Sequence, residues 1–346
     1  MMVQGLGLYY TMQCQASCGH CGVWSGPDRR ERMTLAQARG YIDQLAEMGS
    51  AKVVVFVGGE PLIHLDDVCE LIALTHKHGI AAQVSTNAFW ASTPDRARRT
   101  VEKLAAAGLD HLALSADAYH SEFIDPKNVG RAFSAAREFG LIRKLQVIAS
   151  QVNPETDELF ASTGIDPKEV IDHGVFKMNR HDPKFDARQY IILNRHAVAP
   201  FGRGAFLQGH AVMQGLETLE DVPCFMAMKF PIVYPNGDFY TCCCTAGFYK
   251  EYMVGNLERE PLAELDRRMR GNVVFEAISK VGPVALAKSV CSAGTNLGDG
   301  FANPCHACRE TLSRTEKSVL EGQAQQLLLM HTLLEPDTET SYHALV

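Results

Sequence analysis

Short runs of β-branched residues alternate with amphipathic helical stretches over the first half of the chain, and this alternation constrains the fold more than any other feature. The predicted strands are residues 6–11, 52–57, 81–85, 111–115, 143–150 and 175–178. Helices are predicted between them, at residues 35–47, 66–78, 94–107 and 128–139. Strands separated by helices form parallel βαβ units with right-handed crossovers, and such a sheet curls toward a barrel. We therefore expect an α/β protein with a partial (β/α)6 barrel of the TIM type, whose active face lies at the carboxyl ends of the strands.

The alternation breaks near residues 200–204, and glycine, proline and cysteine become more frequent after this point. Residues 232–241 predict a β-hairpin, because Asn236-Gly237 is a strong signal for a hairpin turn. A further helical stretch is predicted at residues 314–333. We expect two domains, the barrel over residues 1–214 and a small α+β domain over residues 215–346.

The charge and hydropathy of the chain exclude several classes of protein. The 346 residues include 33 Lys and Arg against 40 Asp and Glu, a formal net charge of −7. This acidic balance argues against a nucleic-acid-binding protein that depends on phosphate contacts. No apolar run approaches the roughly 20 residues needed to span a bilayer, and residues 1–10 lack the features of a signal peptide. We therefore predict a cytoplasmic protein without membrane association.

Ten of the eleven cysteines lie within the first 21 residues or after position 223. In a long chain without a secretion signal, clustered cysteines more often bind metal or perform redox chemistry than form disulfides. Cys14, Cys18 and Cys21 follow the first predicted strand, with three and then two residues between them. Fe–S clusters usually have four cysteine ligands, so three thiolates on one loop can hold three irons of a [4Fe–4S] cluster and leave the fourth iron open. The alternative is a zinc site that takes a distant ligand such as His20.

A second set of cysteines lies in the C-terminal half. Cys224 and Cys242 flank the predicted hairpin, and Cys305 and Cys308 form a Cys-x2-Cys pair some 60 residues later. Four thiolates without histidine suit an iron–sulfur cluster or zinc. Cys291 is a spare that could replace one of these ligands.

Cys242, Cys243 and Cys244 are consecutive, which bears on function. Neighbouring side chains of a strand point to opposite faces, so if Cys242 is a ligand, Cys243 points away from the metal site. A thiol there could donate a hydrogen atom, because S–H bonds are weak compared with ordinary C–H bonds. The alternative is that Cys243 and Cys244 are small buried hydrophobic residues.

The segment Gly58-Gly59-Glu60-Pro61 directly follows the second predicted strand. Glycines allow the backbone to approach a ligand closely, and Glu60 can pair with an ammonium group. Alone, the segment would be a turn with an acidic residue at a helix start. Together with the three-cysteine motif, it resembles the radical S-adenosylmethionine (radical SAM) superfamily, in which the amino and carboxylate groups of SAM bind the cysteine-held cluster.

The resemblance to this superfamily implies two cofactors, SAM and a [4Fe–4S] cluster held by the three cysteines near the N-terminus. It also implies a set of residues that contact SAM, and these are Gly58, Gly59, Glu60, Pro61, Ser85, Asn87, Ser115, Asp117 and His20. For the residues at the ends of the third and fourth strands, helix capping is the alternative role. His20 stands where the family often has an aromatic residue before the last cysteine.

The C-terminal cysteines resemble the abbreviated auxiliary domain called twitch, also related to SPASM domains, which holds a second [4Fe–4S] cluster. This implies that Cys224, Cys242, Cys305 and Cys308 are its ligands.

Residues 85–90, 118–123 and 232–243 are similar to those of the radical SAM peptide epimerases of epipeptide biosynthesis. These enzymes convert L-residues of a ribosomal precursor peptide to D-residues. The resemblance implies that a 5′-deoxyadenosyl radical removes a Cα hydrogen and that Cys243 returns one from the opposite face. It also implies two partners, a precursor peptide and a reductant such as flavodoxin or ferredoxin.

Other readings of the same motifs remain open. One is a twitch-type dehydrogenase or epimerase that acts on a small-molecule substrate, an aminocyclitol or a sugar, and another is a peptide-crosslinking maturase. A non-catalytic iron–sulfur electron carrier is disfavoured by Gly58–Pro61 and by the open iron. The first strand begins almost at once, so we expect no leader-peptide recognition domain before it. Candidates to line the substrate cavity are Tyr119, His120, Arg203 and Asp238.

Overall fold

The chain folds around a ten-stranded sheet in the computed structural model, which describes residues 3–150, 156–207, 209–242 and 249–334. The strands are β1 (Gly5–Thr11), β2 (Val53–Gly58), β3 (Ala81–Thr86), β4 (His111–Ser115), β5 (Ile142–Ala149), β6 (Val170–Asp172), β7 (Ile191–Ala197), β8 (Ile232–Val233), β9 (Asp238–Tyr240) and β10 (Met253–Asn256). All seven residues of β1 are buried. Burial of consecutive residues is typical of a parallel strand that is covered on both faces.

Helices separate most of the strands. They are α1 (Leu35–Glu47), α2 (Leu65–Lys77), α3 (Pro94–Ala106), α4 (Ala118–Ser121), α5 (Lys127–Glu138), α6 (Thr156–Thr163), α7 (His173–Asn179), α8 (Leu262–Arg270), α9 (Val273–Lys280), α10 (Pro283–Ser292), α11 (Pro304–Arg314) and α12 (Lys317–Leu334). Local sequence explains how the first helices begin. Thr34 and Gln37 form a capping box at α1, and Thr93 caps α3 ahead of Pro94, whose ring suits the first helical turn.

The sheet order is β10-β9-β8-β1-β2-β3-β4-β5-β7-β6, and neighbours from β1 to β6 in this order are parallel. Parallel strands joined by helices place all their carboxyl ends at one edge of the sheet, so the loops that follow β1 to β5 meet there. The α/β fold class and the partial barrel predicted from the alternation are confirmed.

The sixth strand of the barrel differs from the prediction. Residues 175–178, predicted as a strand, lie in the helix α7, and β7 is the strand that pairs with β5. The Asp172 side chain accepts a hydrogen bond from Gly174 N at 2.9 Å and caps α7 at its start. An apolar run this short fits either a strand or a helix, and here the cap and the tertiary pairing decide between them.

The C-terminal part continues the sheet of the barrel beyond β1. Gly7 is in register with Ile232 in a parallel pair, and β8, β9 and β10 then pair antiparallel. The predicted hairpin is confirmed in β8 and β9, and Gly237 has a φ of +82°, which its position in the turn requires. Within the described residues, no helix combines the length and the apolar character needed to cross a lipid bilayer.

Candidate functional site

The three-cysteine loop, defined here as residues 12–26, follows the carboxyl end of β1. Cys14 and Cys18 are only 7% and 6% exposed, and Cys21 is half-buried. Burial, with a smaller contribution from neighbouring thiols, raises the pKa of both Cys14 and Cys18 to about 12. Three thiolates crowded at a buried site are unfavourable unless a bound metal group supplies positive charge. The donor set therefore fits a metal cluster held by Cys14, Cys18 and Cys21.

The end of β2 packs directly against the start of this loop. Gly59 N donates to Thr11 O at 2.7 Å, and Glu60 N donates to Gln13 O at 2.8 Å. A Cβ atom added to Gly58 would lie 2.2 Å from Thr11 O, and one added to Gly59 would lie 2.1 Å from Gln13 O. Both positions require glycine because two backbone segments approach each other here, a reason that the sequence analysis did not anticipate.

Glu60 joins the ends of β2 and β3. Its side chain is fully buried, and its carboxylate accepts hydrogen bonds from Thr86 Oγ1 at 2.8 Å, from Asn87 N at 2.8 Å and from Leu62 N at 3.0 Å. Burial raises the pKa of Glu60 to about 7, against these hydrogen bonds, which lower it. The carboxylate therefore holds the Thr86–Asn87 segment, and any ligand ammonium would compete with three protein donors. The next residue, Pro61, starts the short 3-10 turn that leads to α2.

Asn87 lies against the first cysteine. Its Nδ2 atom donates to Cys14 Sγ at 3.6 Å, and its Oδ1 atom accepts from Gln15 Nε2 at 2.8 Å. Hydrogen bonds to cluster sulfurs are one of the means by which a protein sets a reduction potential. Asn87 was predicted to contact SAM, and the structure brings it to the cysteine loop.

Ser85 and Ser115, also predicted to contact SAM, lie at the ends of β3 and β4 and are half-buried. Thr86, which lies between the two predicted contacts Ser85 and Asn87, donates to Glu60 and accepts from Trp90 Nε1 at 3.0 Å. Strand parity is the signal that separates Thr86 from Ser85, because successive side chains face opposite sides of the sheet.

A polar cluster follows β4 beside the cysteine loop. Asp117 caps α4 and accepts from His120 Nδ1 at 2.9 Å. Burial alone would raise the pKa of Asp117, but the charge and hydrogen bonds of His120 hold it below its usual value. The His20 ring lies 4.8 Å from the rings of both Tyr119 and His120, and burial lowers the pKa of His20 to about 4.

Donor atoms of His20, Asp117 and His120 lie within 4.8 Å of one another. His20 is the residue that the zinc alternative names as a ligand, and the Asp117–His120 hydrogen bond already occupies one atom of Asp117 and one of His120.

The C-terminal cysteines form a second group, which we call the four-cysteine site. Cys224, Cys242, Cys305 and Cys308 all line one small apolar cavity of about 30 Å³. Cys305 and Cys308 lie in the first turns of α11, where a spacing of three residues places two side chains on one helix face. Cys291 lies on α10 and is not among the residues that line this cavity. Four cysteines around one cavity are a donor set that fits an iron–sulfur cluster.

Tyr252 also lines the four-cysteine site and was not found from the sequence. Burial raises its pKa well above the ordinary value, and the nearby thiols of Cys308, Cys242 and Cys305 contribute in the same direction. Cys243 and Cys244, one of them the predicted hydrogen-atom donor, lie outside the described residues.

A cavity of about 390 Å³ is lined by residues of the three-cysteine loop and of the β8–β9 hairpin, although none of the described cysteines is among its lining residues. It is lined by Gly22, next to Cys21, and by Tyr240, two residues before Cys242. Asp238, predicted to face a substrate, lines this cavity too. The other candidates lie elsewhere, since Tyr119 and His120 belong to the cluster after β4, and Arg203 binds the three-cysteine loop.

Known proteins resemble this chain in sequence and in fold. Residues 8–148 match the family model of the Radical SAM superfamily. A relative, the putative peptide biosynthesis protein YydG of Bacillus subtilis (strain 168), is 18% identical over 271 residues, which are 78% of this chain and 78% of that protein. The matched family segment extends from β1 to β5 and contains the three-cysteine loop and Gly58–Pro61.

Solved structures of anSMEcpe share the fold. The structure with bound AdoMet matches with a TM-score of 0.54 and 14% identity, and the match covers 94% of this chain and 100% of that one. The structure with AdoMet and the Cp18Cys peptide matches with a TM-score of 0.50 and 13% identity, over 97% and 100% of the two chains. At these identities the likeness concerns the fold. The family match shows that residues 8–148 form a radical SAM domain, which contains Cys14, Cys18 and Cys21 and is typical of a radical SAM enzyme.

Proposed function

We propose that this enzyme epimerises residues of a ribosomally made peptide, with Cys14, Cys18 and Cys21 holding the SAM-binding [4Fe–4S] cluster and Cys243 donating a hydrogen atom. The observation that carries the proposal is the cavity of about 390 Å³ that is lined by the three-cysteine loop and by the β8–β9 hairpin, which leads in sequence to Cys242 and Cys243. Inversion of a carbon needs one group that removes hydrogen and another that returns it from the opposite face. A cavity bounded by the two cysteine-bearing regions is suited to that arrangement.

The three-cysteine loop has the first role. Cys14, Cys18 and Cys21 would hold a [4Fe–4S] cluster that, once reduced and with SAM bound, would supply the 5′-deoxyadenosyl radical needed to take the Cα hydrogen of the substrate residue. The protein contributes buried thiols at Cys14 and Cys18 and an amide donor from Asn87 to the sulfur of Cys14. The fully buried Glu60 orders the Thr86–Asn87 segment beside them.

Cys243 has the second role. Its thiol hydrogen passes to the planar Cα radical and forms the new C–H bond, which leaves a thiyl radical on Cys243. One electron from a reductant such as flavodoxin or ferredoxin and one proton from solvent then restore the thiol. We assign Cys224, Cys242, Cys305 and Cys308 as ligands of a second [4Fe–4S] cluster, because the four line one cavity and Cys242 precedes the donor directly.

A peptide is the proposed substrate. The relative YydG is described as a putative peptide biosynthesis protein, and anSMEcpe has been solved with a bound peptide. The cavity supports this choice, because it combines aromatic side chains such as Tyr234 and Tyr240 with the polar side chains of Asn236 and Asp238. Aromatic and amide groups together can hold an extended chain by packing and by backbone hydrogen bonds.

The deciding experiment is turnover in deuterated water of a short peptide encoded beside the gene. Thiol hydrogens exchange with solvent, so epimerisation should place one deuterium at the inverted carbon and add one mass unit. Dehydrogenation or crosslinking would instead give a product two mass units lighter, and that product would overturn the epimerase assignment.

Cys243→Ala tests the donor, and Cys291→Ala is the matched control because Cys291 is not among the residues that line the four-cysteine site. We expect Cys243→Ala to retain formation of 5′-deoxyadenosine and to lose the epimerised product. Cys291→Ala should retain both. Unchanged D-residue formation by Cys243→Ala would remove Cys243 from the proposal.

A further inference from the structure

Arg203 reaches from the region after the barrel into the three-cysteine loop. Its Nε atom donates to Cys18 O at 2.9 Å, and its Nη2 atom donates to Ser25 O at 2.7 Å. Its backbone N–H donates to Cys21 O at 3.0 Å. One residue thus holds the carbonyls of the last two cysteines, Cys18 and Cys21, and of Ser25. A planar guanidinium presents donors in a fixed fork, which an ammonium group does not.

Gly202 packs against the same loop through its backbone. Its φ is +52°, and an added Cβ atom would lie 2.5 Å from Cys21 O and 2.5 Å from the carbonyl carbon of Gly22. No side chain fits between these two backbone segments. Gly202 and Arg203 therefore bring this part of the chain into direct contact with the loop.

The preceding residues contact the helix of the four-cysteine site. Arg309, on α11, donates to Pro200 O at 3.2 Å, and its guanidinium lies 5.7 Å from the ring centroid of Phe201. The rings of Phe201 and His306 lie 6.1 Å apart in an edge-on arrangement. Arg309 and His306 directly follow Cys308 and Cys305 in the chain.

We propose that residues 200–204, here called the 200–204 segment, mechanically connect the two cysteine groups, and that Arg203 is a positioning residue for the SAM-binding cluster. Arg203 keeps the carbonyls of Cys18 and Ser25 in one arrangement and so limits how far the thiols of Cys18 and Cys21 can spread. Contacts of Phe201 and Pro200 with α11 hold the segment from its other side. A substitution on α11 can then change the arrangement of the three-cysteine loop although α11 does not contact that loop through the substituted residue.

The electrostatic role of Arg203 supports this assignment. Burial raises the pKa of the Cys14 and Cys18 thiols, and the positive charge of Arg203 opposes that rise. A cation beside the loop also favours the net negative charge of a thiolate-bound cluster.

The first test needs no iron. Metal-free wild type, Arg203→Gln and Arg203→Lys are treated with a thiol-alkylating reagent, and labelling of each cysteine is followed by peptide mass spectrometry. We expect Arg203→Gln to accelerate labelling of Cys18 about tenfold, because local opening of the loop becomes easier. Arg203→Lys should give a smaller increase, since it keeps the charge and loses the fork.

The controls keep this test decisive. Arg195 is an exposed arginine on β7 whose Nη1 atom lies 3.1 Å from Asp172 Oδ2. Arg195→Gln should leave the labelling rate of Cys18 unchanged. Cys69 on α2 reports the global fold, so its labelling should stay at the wild-type rate. If Arg203→Gln also accelerates the labelling of Cys69, that variant has lost its global fold, and the labelling rate of Cys18 in folded Arg203→Lys then tests the positioning role. Wild-type labelling of Cys18 in the folded variants overturns the positioning role.

Arg309→Gln tests the connection to α11. It should accelerate labelling of Cys18 by about two- to threefold, although Arg309 makes no hydrogen bond to the loop among the described contacts. Because Cys18 and α11 are linked through residues 200–204, the smaller effect follows from the longer path. If Cys18 is labelled at the wild-type rate in Arg309→Gln, the 200–204 segment does not connect α11 to the three-cysteine loop, and its connecting role is overturned.

The second test uses the iron-loaded protein and rests on the proposed SAM-binding cluster. The paramagnetic resonance spectrum of the reduced cluster should change in Arg203→Gln, and the SAM concentration for the half-maximal spectral response should rise about 10- to 100-fold, the range for loss of an outer partner of a metal ligand. An unchanged spectrum and response in loaded Arg203→Gln would overturn the role toward the cluster. Absence of any cluster in the wild type would instead contradict the proposed function, while the labelling result would stand.

Discussion

The two cysteine groups are built in opposite ways. Cys14, Cys18 and Cys21 lie within eight consecutive residues of one loop, whereas the cysteines of the four-cysteine site come from positions 224, 242, 305 and 308. The first group is local, so its three cysteines stay near one another along the chain even when the protein is partly unfolded. The rest of the protein only has to hold the loop in position. The second exists only when the hairpin and α11 meet, so its integrity depends on tertiary packing. A local motif can be recognised from spacing alone, and a distributed one requires the fold.

The support of the local group is itself distributed. The three-cysteine loop is held by Gly59 and Glu60 at the end of β2, by Asn87 at the end of β3 and by Arg203 after β7. None of these residues lies in the loop. The comparison therefore predicts that cluster chemistry at the loop is lost by changes within it and tuned by changes outside it.

The largest effect is expected from removing one ligand of each group. Cys14→Ala should abolish formation of 5′-deoxyadenosine, because the iron that binds SAM loses its support. Cys305→Ala should retain SAM cleavage and lose about half of the iron. Iron analysis and chromatography of the nucleoside measure both outcomes. Complete loss of cleavage in Cys305→Ala would break the comparison, since it would make the two groups one cooperative unit.

Gly59→Ala should destabilise the protein by roughly 3–5 kcal/mol, because the added methyl group meets Gln13 O at 2.1 Å and the backbone must shift. Gly40→Ala is the matched control, since an added Cβ meets nothing within 4 Å on α1 and alanine favours a helix by roughly 0.5–1 kcal/mol. Urea denaturation of metal-free protein gives both values. If Gly59→Ala and Gly40→Ala are equally stable, the close contact between the end of β2 and the three-cysteine loop does not contribute to stability.

The pH dependence of stability should differ between wild type and Glu60→Gln. The folded-state pKa of Glu60, about 7, lies above the unfolded value near 4.5, so folded protein binds more protons between these values. Stability from this group is therefore present below pH 4.5 and is lost as pH rises through 7, by about 3 kcal/mol in total. Denaturation of metal-free protein between pH 5 and pH 8 should show a slope in wild type that is absent in Glu60→Gln. If the stability of wild type and of Glu60→Gln changes with pH in the same way, the slope does not come from Glu60.

The smallest effect is expected at Asn87. Asn87→Ala removes the amide donor to Cys14 Sγ, and a hydrogen bond to sulfur favours the more negative, reduced cluster. The midpoint potential should fall by roughly 20–60 mV, the equivalent of one hydrogen bond for a one-electron couple. Asn128→Ala, at a buried asparagine that contacts Phe89 O, is the control and should leave the potential unchanged. If the midpoint potential is unchanged in Asn87→Ala, the hydrogen bond to Cys14 Sγ does not tune the cluster, and only the backbone contacts support the loop.

Local chemistry accounts for the parts of this protein that the sequence predicted. The capped helices α1 and α3, the hairpin turn at Asn236-Gly237 and the spacing of Cys14, Cys18 and Cys21 each depend on residues a few positions apart. The parallel order of the first five strands follows from the alternation itself, because a βαβ unit leaves little choice of hand or direction. The sequence alone therefore predicts these features.

Tertiary structure alone decided which apolar run becomes the sixth barrel strand, since β7 is selected by its pairing with β5 while residues 175–178 enter α7. It also decided that Glu60 faces Thr86 and Asn87, and that Arg203 holds carbonyls of a loop 185 positions earlier in the chain. Hydrogen bonds to backbone carbonyls leave no signature in the sequence, because any residue can offer the carbonyl. Residue type and spacing thus determined the chemistry of the thiols, and long-range packing determined what surrounds them.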